Sequence, residues 1–577
     1  MSGTTAWKTF LPVLIFTLAL MNLAAGEKYF VGHGWDLLKV TTEDLVRNLP
    51  ELEKLPLDGI SISLSKKRAD GRTVFMRNVL SDARWVKEEY AGEIENIKKI
   101  SSGRLKYNLL MTNFAPTRRL AWTDDAAWER AAHNAGAFAA IAKAGGLKGF
   151  MLDPEDYPKT KQFMHLPGDP AYPEAVKLAR RRGAQIMKAM GAEHPDMVLL
   201  SFSFLGGRYA ADEPWKEAER SGNLWPAFIN GLLDELPSGA VMVDASEDGY
   251  TCTGLRNEFY ELAWKIVRKG GKLIAPENRA KFYQQYQIGF GLYLDMYTDM
   301  SVKIHTKSKW YHPPTDGSRL ITLFNNFSEA VACADQYCWV YGEYNSWIKW
   351  DCAERLSKTP WPVDPETWEE KLPGLADTMN FIIDEDRAVR EMYEKKAENG
   401  GLVNLIGNPE CVPVKKVRAG EAQSDWDTRT LPPGWAFWRN DPKEGSFALD
   451  TTTGMGDSFS ARAVGADNAC LVHKPAMKVK PGQVYACEAF KKGGEKSYVL
   501  VRWMHDNRWI IQPRNVLLPF SEEKNAEGWQ RAFGFVKVPP EANELVLLVY
   551  TCLKPDEAAW YDNPGVYLIY PPAAETP

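Results

Sequence analysis

Residues 147–157 read LKGFMLDPEDY, a short apolar run that breaks off into carboxylates. A run this short, bounded by glycines, reads as a buried strand. Before it, residues 126–146 (AAWERAAHNAGAFAAIAKAGG) carry apolar positions at helical spacing and stop at Gly145 and Gly146. After it, residues 171–190 (AYPEAVKLARRRGAQIMKAM) are helical again. Helix, strand and helix in succession form one unit of a wound α/β fold.

Working outward, the same unit recurs. Apolar or aromatic runs begin at Lys28 (KYFVGHGWDLL), Leu57 (LDGISISLS), Arg104 (RLKYNLLMTNF), Met197 (MVLLSFSFLGG), Ala240 (AVMVDASEDGY), Tyr286 (YQIGFGLYLD) and Gln336 (QYCWVYGEYN). With the first run they make eight. Helical stretches lie between them, one opening at Thr41 or Thr42 as N-cap. Eight strand–helix units over residues 27–400 predict a (β/α)₈ barrel. An open doubly wound sheet is the alternative, but neither GxGxxG nor GxxxxGK[ST] occurs. A charged helix from about Pro365 ends at Asn399-Gly400-Gly401. Beyond it, short β-rich runs such as SYVLVRW (from Ser497), ELVLLVYTCL (from Glu544) and GVYLIY (from Gly565) predict a β-sandwich or jelly roll over 401–577.

At 577 residues the chain is too long for one core. Its net charge of -5 excludes the basic stripe that a nucleic-acid partner needs. The 21 Trp suit a protein that stacks on sugar faces, and equally a large core. Residues 1–26 read as a signal peptide: Lys8, an apolar stretch from Thr9 to Leu23, then Ala24-Ala25-Gly26. The expected location is secreted or periplasmic, with no membrane partner once the segment is removed. Export makes Cys252, Cys333, Cys338 and Cys352 in the first domain, and Cys411, Cys470, Cys487 and Cys552 in the second, candidates for two bridges each. Buried free thiols are the other reading. No CxxC or HExxH is present, so no catalytic metal is expected, while loop carboxylates leave a structural calcium open.

A barrel of this kind works at the C-terminal ends of its strands. Those ends carry His33 and Trp35, Asn113, Asp153-Pro154-Glu155-Asp156-Tyr157, Glu247, Asp295, and Trp339, Tyr341 and Glu343. Several carboxylates converge there with aromatics, which suits cleavage of a glycosidic bond by two carboxyl groups. Glu155 is the expected acid. It shares a face with Asp153 at period two, and a like charge nearby raises one member's pKa. Glu343 is the expected second carboxylate, with Asp295 and Glu247 as alternatives. Asp153, Tyr157, His33, Trp35, Asn113, Trp339 and Tyr341 are expected to support or contact a carbohydrate substrate. Arg118, Arg119 and Arg208 are positioned for anionic sugars, or are surface charges. A non-catalytic glycan-binding protein on a degenerate barrel is the alternative function.

The chain resembles secreted bacterial glycoside hydrolases with a (β/α)₈ catalytic domain and a carbohydrate-binding module. DPEDY at 153–157 is similar to the fourth-strand acid position of several such families, and its Asp-x-Glu to the end of the chitinase-type DxxDxDxE motif. Lys148 and Met151 stand at that motif's first two Asp positions. The C-terminal part resembles jelly-roll carbohydrate-binding modules through NLIGNPEC from Asn404, LPPGWAFW from Leu431, VKPGQVYACEAF from Val479 and AAWYDNPGVYLIY from Ala558. That resemblance implies a structural calcium and glycan binding, with Trp503 and Trp509 as candidate platforms.

Overall fold

Strands β1 (Tyr29–Gly34), β2 (Gly59–Ile62), β3 (Leu109–Asn113), β4 (Gly149–Asp153), β5 (Val198–Ser201), β6 (Val241–Ser246), β7 (Tyr286–Tyr293) and β8 (Tyr337–Gly342) pair in parallel, in chain order. β1 closes the ring against β8, in register from Tyr29 opposite Tyr337 to Gly34 opposite Gly342. Each strand lies within one of the eight apolar runs, and closure rules out the open sheet. The structure is a computed structural model. It describes residues 27–570 except 69, 71, 207–211, 299–309, 316, 360, 413–433, 442–444 and 511–514. The signal segment at 1–26 lies outside the described residues, as does Arg208.

Strand β4 shows why the runs look continuous. All of Gly149–Asp153 is buried, with the barrel interior on one face and helices on the other. Phe150 is wholly buried against Phe138 of the helix Asp125–Ala144, ring centroids 5.5 Å apart. Truncating such a side chain to Ala costs about 3–5 kcal/mol. That helix starts where the Asp124 side chain accepts the Ala127 N–H and stops at Gly145 and Gly146. Thr41 caps the helix Thr42–Arg47 in a capping box with Asp44. Between β2 and β3 the chain inserts a hairpin, Leu64–Lys67 against Thr73–Met76. Among the described residues no helix is long and apolar enough to cross a membrane.

The residues group into two units, through Ile383 and from Asp384. The charged helix Glu385–Glu398 therefore groups with the β-rich unit. That unit is a β-sandwich, entirely antiparallel among its described strands. One layer holds Trp435–Arg439, Ala469–His473, Glu544–Thr551 and Ser497–His505; the other holds Gln530–Lys537, Val484–Gly493, Ala558–Tyr570, Ser460–Val464 and Ser446–Asp450. Val516–Lys524 crosses between them, its first half on Ser497–His505 and its second on Gln530–Lys537.

Of the two readings left open for the eight cysteines, the structure has thiols and no disulfide, so no bridge supplements either core. One expectation is corrected here. Trp503 is a core residue, 1% exposed, because Val499, Val501 and Trp503 share the inward face of their strand. Trp509 remains 43% exposed, with Arg502 stacked 4.1 Å from its ring.

Candidate active site at the barrel mouth

The C-terminal strand ends enclose a cavity of about 400 Å³. Its walls follow the period of two: His33 and Trp35 from β1, Met111, Asn113 and Ala115 from β3, Asp153, Glu155 and Tyr157 from β4, Trp339 and Tyr341 from β8. Phe202 after β5, Glu247 and Tyr250 after β6, Arg77 and Asn78 after the hairpin, and Leu38 and Pro158 complete the lining.

Aromatic rings form the floor. Trp339 is 1% exposed, donates Nε1–H to the Ala245 carbonyl at 2.8 Å, and stacks on Phe202 at 4.1 Å. A Cβ on Gly291 would sit 2.8 Å from Tyr250 and 2.9 Å from Trp339, so glycine there makes room for both rings. His33 packs edge-on against Phe202 and Trp339 and shares a hydrogen bond with Ser61 Oγ at 2.9 Å. Burial, then the nearby Arg77 charge, pull its pKa down to about 3, so it is neutral at physiological pH.

The carboxylates sit above this floor. Asp153 is 6% exposed and accepts the Glu155 N–H at 2.8 Å. Burial, and secondly the Glu155 charge, push its carboxyl up to about 7, against the pull of that hydrogen bond. Asn113 Nδ2 donates to the Glu155 carbonyl at 3.3 Å, and the Tyr157 hydroxyl donates to the Glu155 carboxylate. Across the cavity, the Tyr250 hydroxyl reaches Glu247 at 3.5 Å. Burial raises the phenols of Tyr157 and Tyr250, and both feel the charges of Glu155 and Glu247. Two glutamates from β4 and β6 thus face one aromatic enclosure.

Glu343 and Asp295 do not line the cavity. Asp295 is fully buried and accepts the backbone N–H groups of Glu343 at 2.8 Å and Tyr344 at 3.3 Å. Its carboxyl is pushed up to about 7 by burial, and the Glu343 charge adds to this. The Tyr293 hydroxyl donates to Glu343. Parity would carry β8 from Trp339 and Tyr341 to Glu343, but Asp295 seizes the chain just past Gly342. Other strand-end aspartates act similarly. Asp36 accepts from Leu37, Trp347 and Trp350, and Asp244 from Phe204, Leu205, Gly206 and Tyr286.

Of the arginines expected to meet anions, Arg119 is held by Asp169 at 2.7 Å and Arg118 faces Asp82. The cavity's cation is instead Arg77, which the strand-end reading missed. Its signal lay in LSKKRADGRTVFMR from Leu64, where Asp70-Gly71 between β-prone flanks marks a hairpin that returns Arg77 to the rim. Three metal-ligand side chains converge, among the described residues, at Asp44, Asp351 and Cys352; Arg47 and Arg355 already pair with the carboxylates there.

No protein-family model matches this chain, and no curated protein matches it. Solved structures resemble segments of it. The enzymatically active domain of tailspike protein 4 from bacteriophage CBA120 matches with 13% identity and a TM-score of 0.20, over 24% of this chain and 20% of that one. The match therefore spans a fifth of the tailspike structure. A family 16 carbohydrate-binding module matches with 16% identity and a TM-score of 0.20, over 28% of this chain and 99% of that one. A family 22 xylan-binding domain from Paenibacillus barcinonensis matches with 13% identity and a TM-score of 0.19, over 24% of this chain and 88% of that one.

Proposed function

We propose that the chain is an exported glycoside hydrolase whose cavity cleaves a glycosidic bond between Glu155 and Glu247. The observation that carries this reading is the pair of glutamates, from β4 and β6, facing one aromatic-floored cavity at the catalytic end of a (β/α)₈ barrel.

Glu155 is the acid. Its Oε2 is held by the Tyr157 hydroxyl and its backbone by Asp153 and Asn113, so the carboxyl is aimed before substrate arrives. It delivers a proton to the leaving oxygen as the bond to the anomeric carbon breaks. Glu247 attacks that carbon or takes a proton from the water that does. With its carboxyl raised to about 7, Asp153 is only partly ionised at neutral pH and so adds less than a full second charge beside the acid. Trp35 and Tyr341 supply ring faces for the sugar, above the buried Trp339.

Hydrolysis of a panel of polysaccharides and aryl glycosides tests the reading. Glu155→Gln and Glu247→Gln should each lose activity by about a thousandfold or more with folding intact. A wild type that binds glycans and cleaves none would replace the hydrolase with a glycan-binding barrel.

A further inference from the structure

The catalytic reading uses three of the four charged side chains that line the cavity: Asp153, Glu155 and Glu247. The fourth, Arg77, is held with unusual care for a group without an assigned partner. Its carbonyl accepts the Asn113 N–H at 2.9 Å and the Thr112 hydroxyl at 3.0 Å, which stitches its backbone to the end of β3. Its side chain donates Nε–H to Ser63 Oγ at 3.1 Å and one Nη2–H to the Leu38 carbonyl at 2.6 Å. These contacts fix the guanidinium plane and use two of its five N–H groups. Among the described residues no carboxylate lies within salt-bridge distance and no further acceptor meets its remaining three, although the Asp153 charge acts on it and the Phe75 ring lies 5.8 Å from its guanidinium carbon.

A desolvated guanidinium is costly unless a full counter-charge offsets it. Burial lowers the Arg77 guanidinium to about 10, and the Asp153 charge offsets this only in part, because Asp153 is itself raised to about 7 and only partly ionised at neutral pH. The other two carboxylates stand on β4 and after β6. Arg77 is stitched to the end of β3, beside β4 with Asp153 and Glu155, while Glu247 follows β6, three strands further round the ring. Arg77 is thus the one cation, among the described residues, in a cavity lined by three carboxyl groups.

We propose that the sugar seated in this cavity is acidic, its carboxylate bound end-on by Nη1 and Nη2 of Arg77. The planar fork matches the two oxygens of a uronic acid, and hydroxyl recognition would not call for a charge. This inference rests on the glycan reading of the same cavity.

The test is binding, measured by calorimetry and by saturation-transfer NMR on the Glu155→Gln protein. The probes are matched methyl glycosides: glucuronide against glucoside, galacturonide against galactoside, and the corresponding sulfated sugars, each in both anomers. A uronide should bind about tenfold or more tighter than its neutral partner, and adding Arg77→Gln should abolish the difference. Arg77→Lys, which keeps the charge and loses the fork, should lose most of it while the melting temperature holds. Equal binding within each pair, a preference that survives Arg77→Gln, a preference for sulfate over carboxylate, or no binding by any member overturns the proposal. Uronide-selective binding without hydrolysis would overturn the hydrolase reading and leave this one standing. Hydrolysis of neutral and acidic glycosides alike, with equal binding, would do the reverse.

Discussion

The ends of β4 and β7–β8 are built alike and placed differently. At β4, buried Asp153 accepts the Glu155 N–H, and Tyr157 donates to the Glu155 carboxylate. At β7–β8, buried Asp295 accepts the Glu343 N–H, and Tyr293 donates to the Glu343 carboxylate. Burial raises both aspartates to about 7. Only the first group opens on the cavity. A shifted carboxyl beside a glutamate is therefore what a buried brace looks like as well as what the proposed reaction centre looks like; access to a shared cavity separates them.

The comparison breaks most readily at the two glutamates. Glu155→Gln should reduce kcat by about a thousandfold, whereas Glu343→Gln should stay within about tenfold of wild type. Equal losses would mean that the β7–β8 group reaches the substrate after all. The aspartates come next. Asp153→Asn should lower kcat by about 10- to 100-fold with little change in melting temperature. Asp295→Ala leaves two backbone N–H groups without an acceptor and should cost about 2–4 kcal/mol in chemical denaturation. A stable Asp295→Ala protein would sink the bracing role.

Titration sharpens the likeness rather than the difference. In the folded chain both aspartates keep a proton up to about 7, while unfolded aspartate releases it near about 4. The folded state then holds more protons across that window, so stability falls as pH rises from about 4 to about 7, by up to about 1.4 kcal/mol per pH unit for each group. The contribution is fully present below the window and gone above it. Asp153→Asn and Asp295→Asn should each flatten the slope in urea denaturation between those limits; an unchanged slope in either would contradict its raised pKa. The smallest contrast concerns the phenols. Tyr157→Phe should lower kcat by about three- to tenfold, and Tyr293→Phe by less than about twofold.

The barrel was legible because each strand is buried on both faces and flanked by helices of clear period, so runs such as GFML at 149–152 need little context. The site was legible where a strand simply continues past its end. His33 and Trp35, Asn113, Asp153, Glu155 and Tyr157, and Trp339 and Tyr341 all reach the cavity by alternation. Reading failed where backbone hydrogen bonds redirect the chain. Nothing local to Glu343 announces that a carboxylate 48 residues earlier will hold its N–H and turn it away. Arg77 arrives on an inserted hairpin, outside the strand–helix rhythm, so a search along strand ends passes over it. Trp503 shows the converse: a tryptophan between Arg502 and Met504 that alternation turns into the core.

Trp339, wedged against Phe202 and tied to Ala245, gives the mouth a solid base. The packed barrel axis below offers no onward passage, so whatever settles on this base departs on the side from which it came.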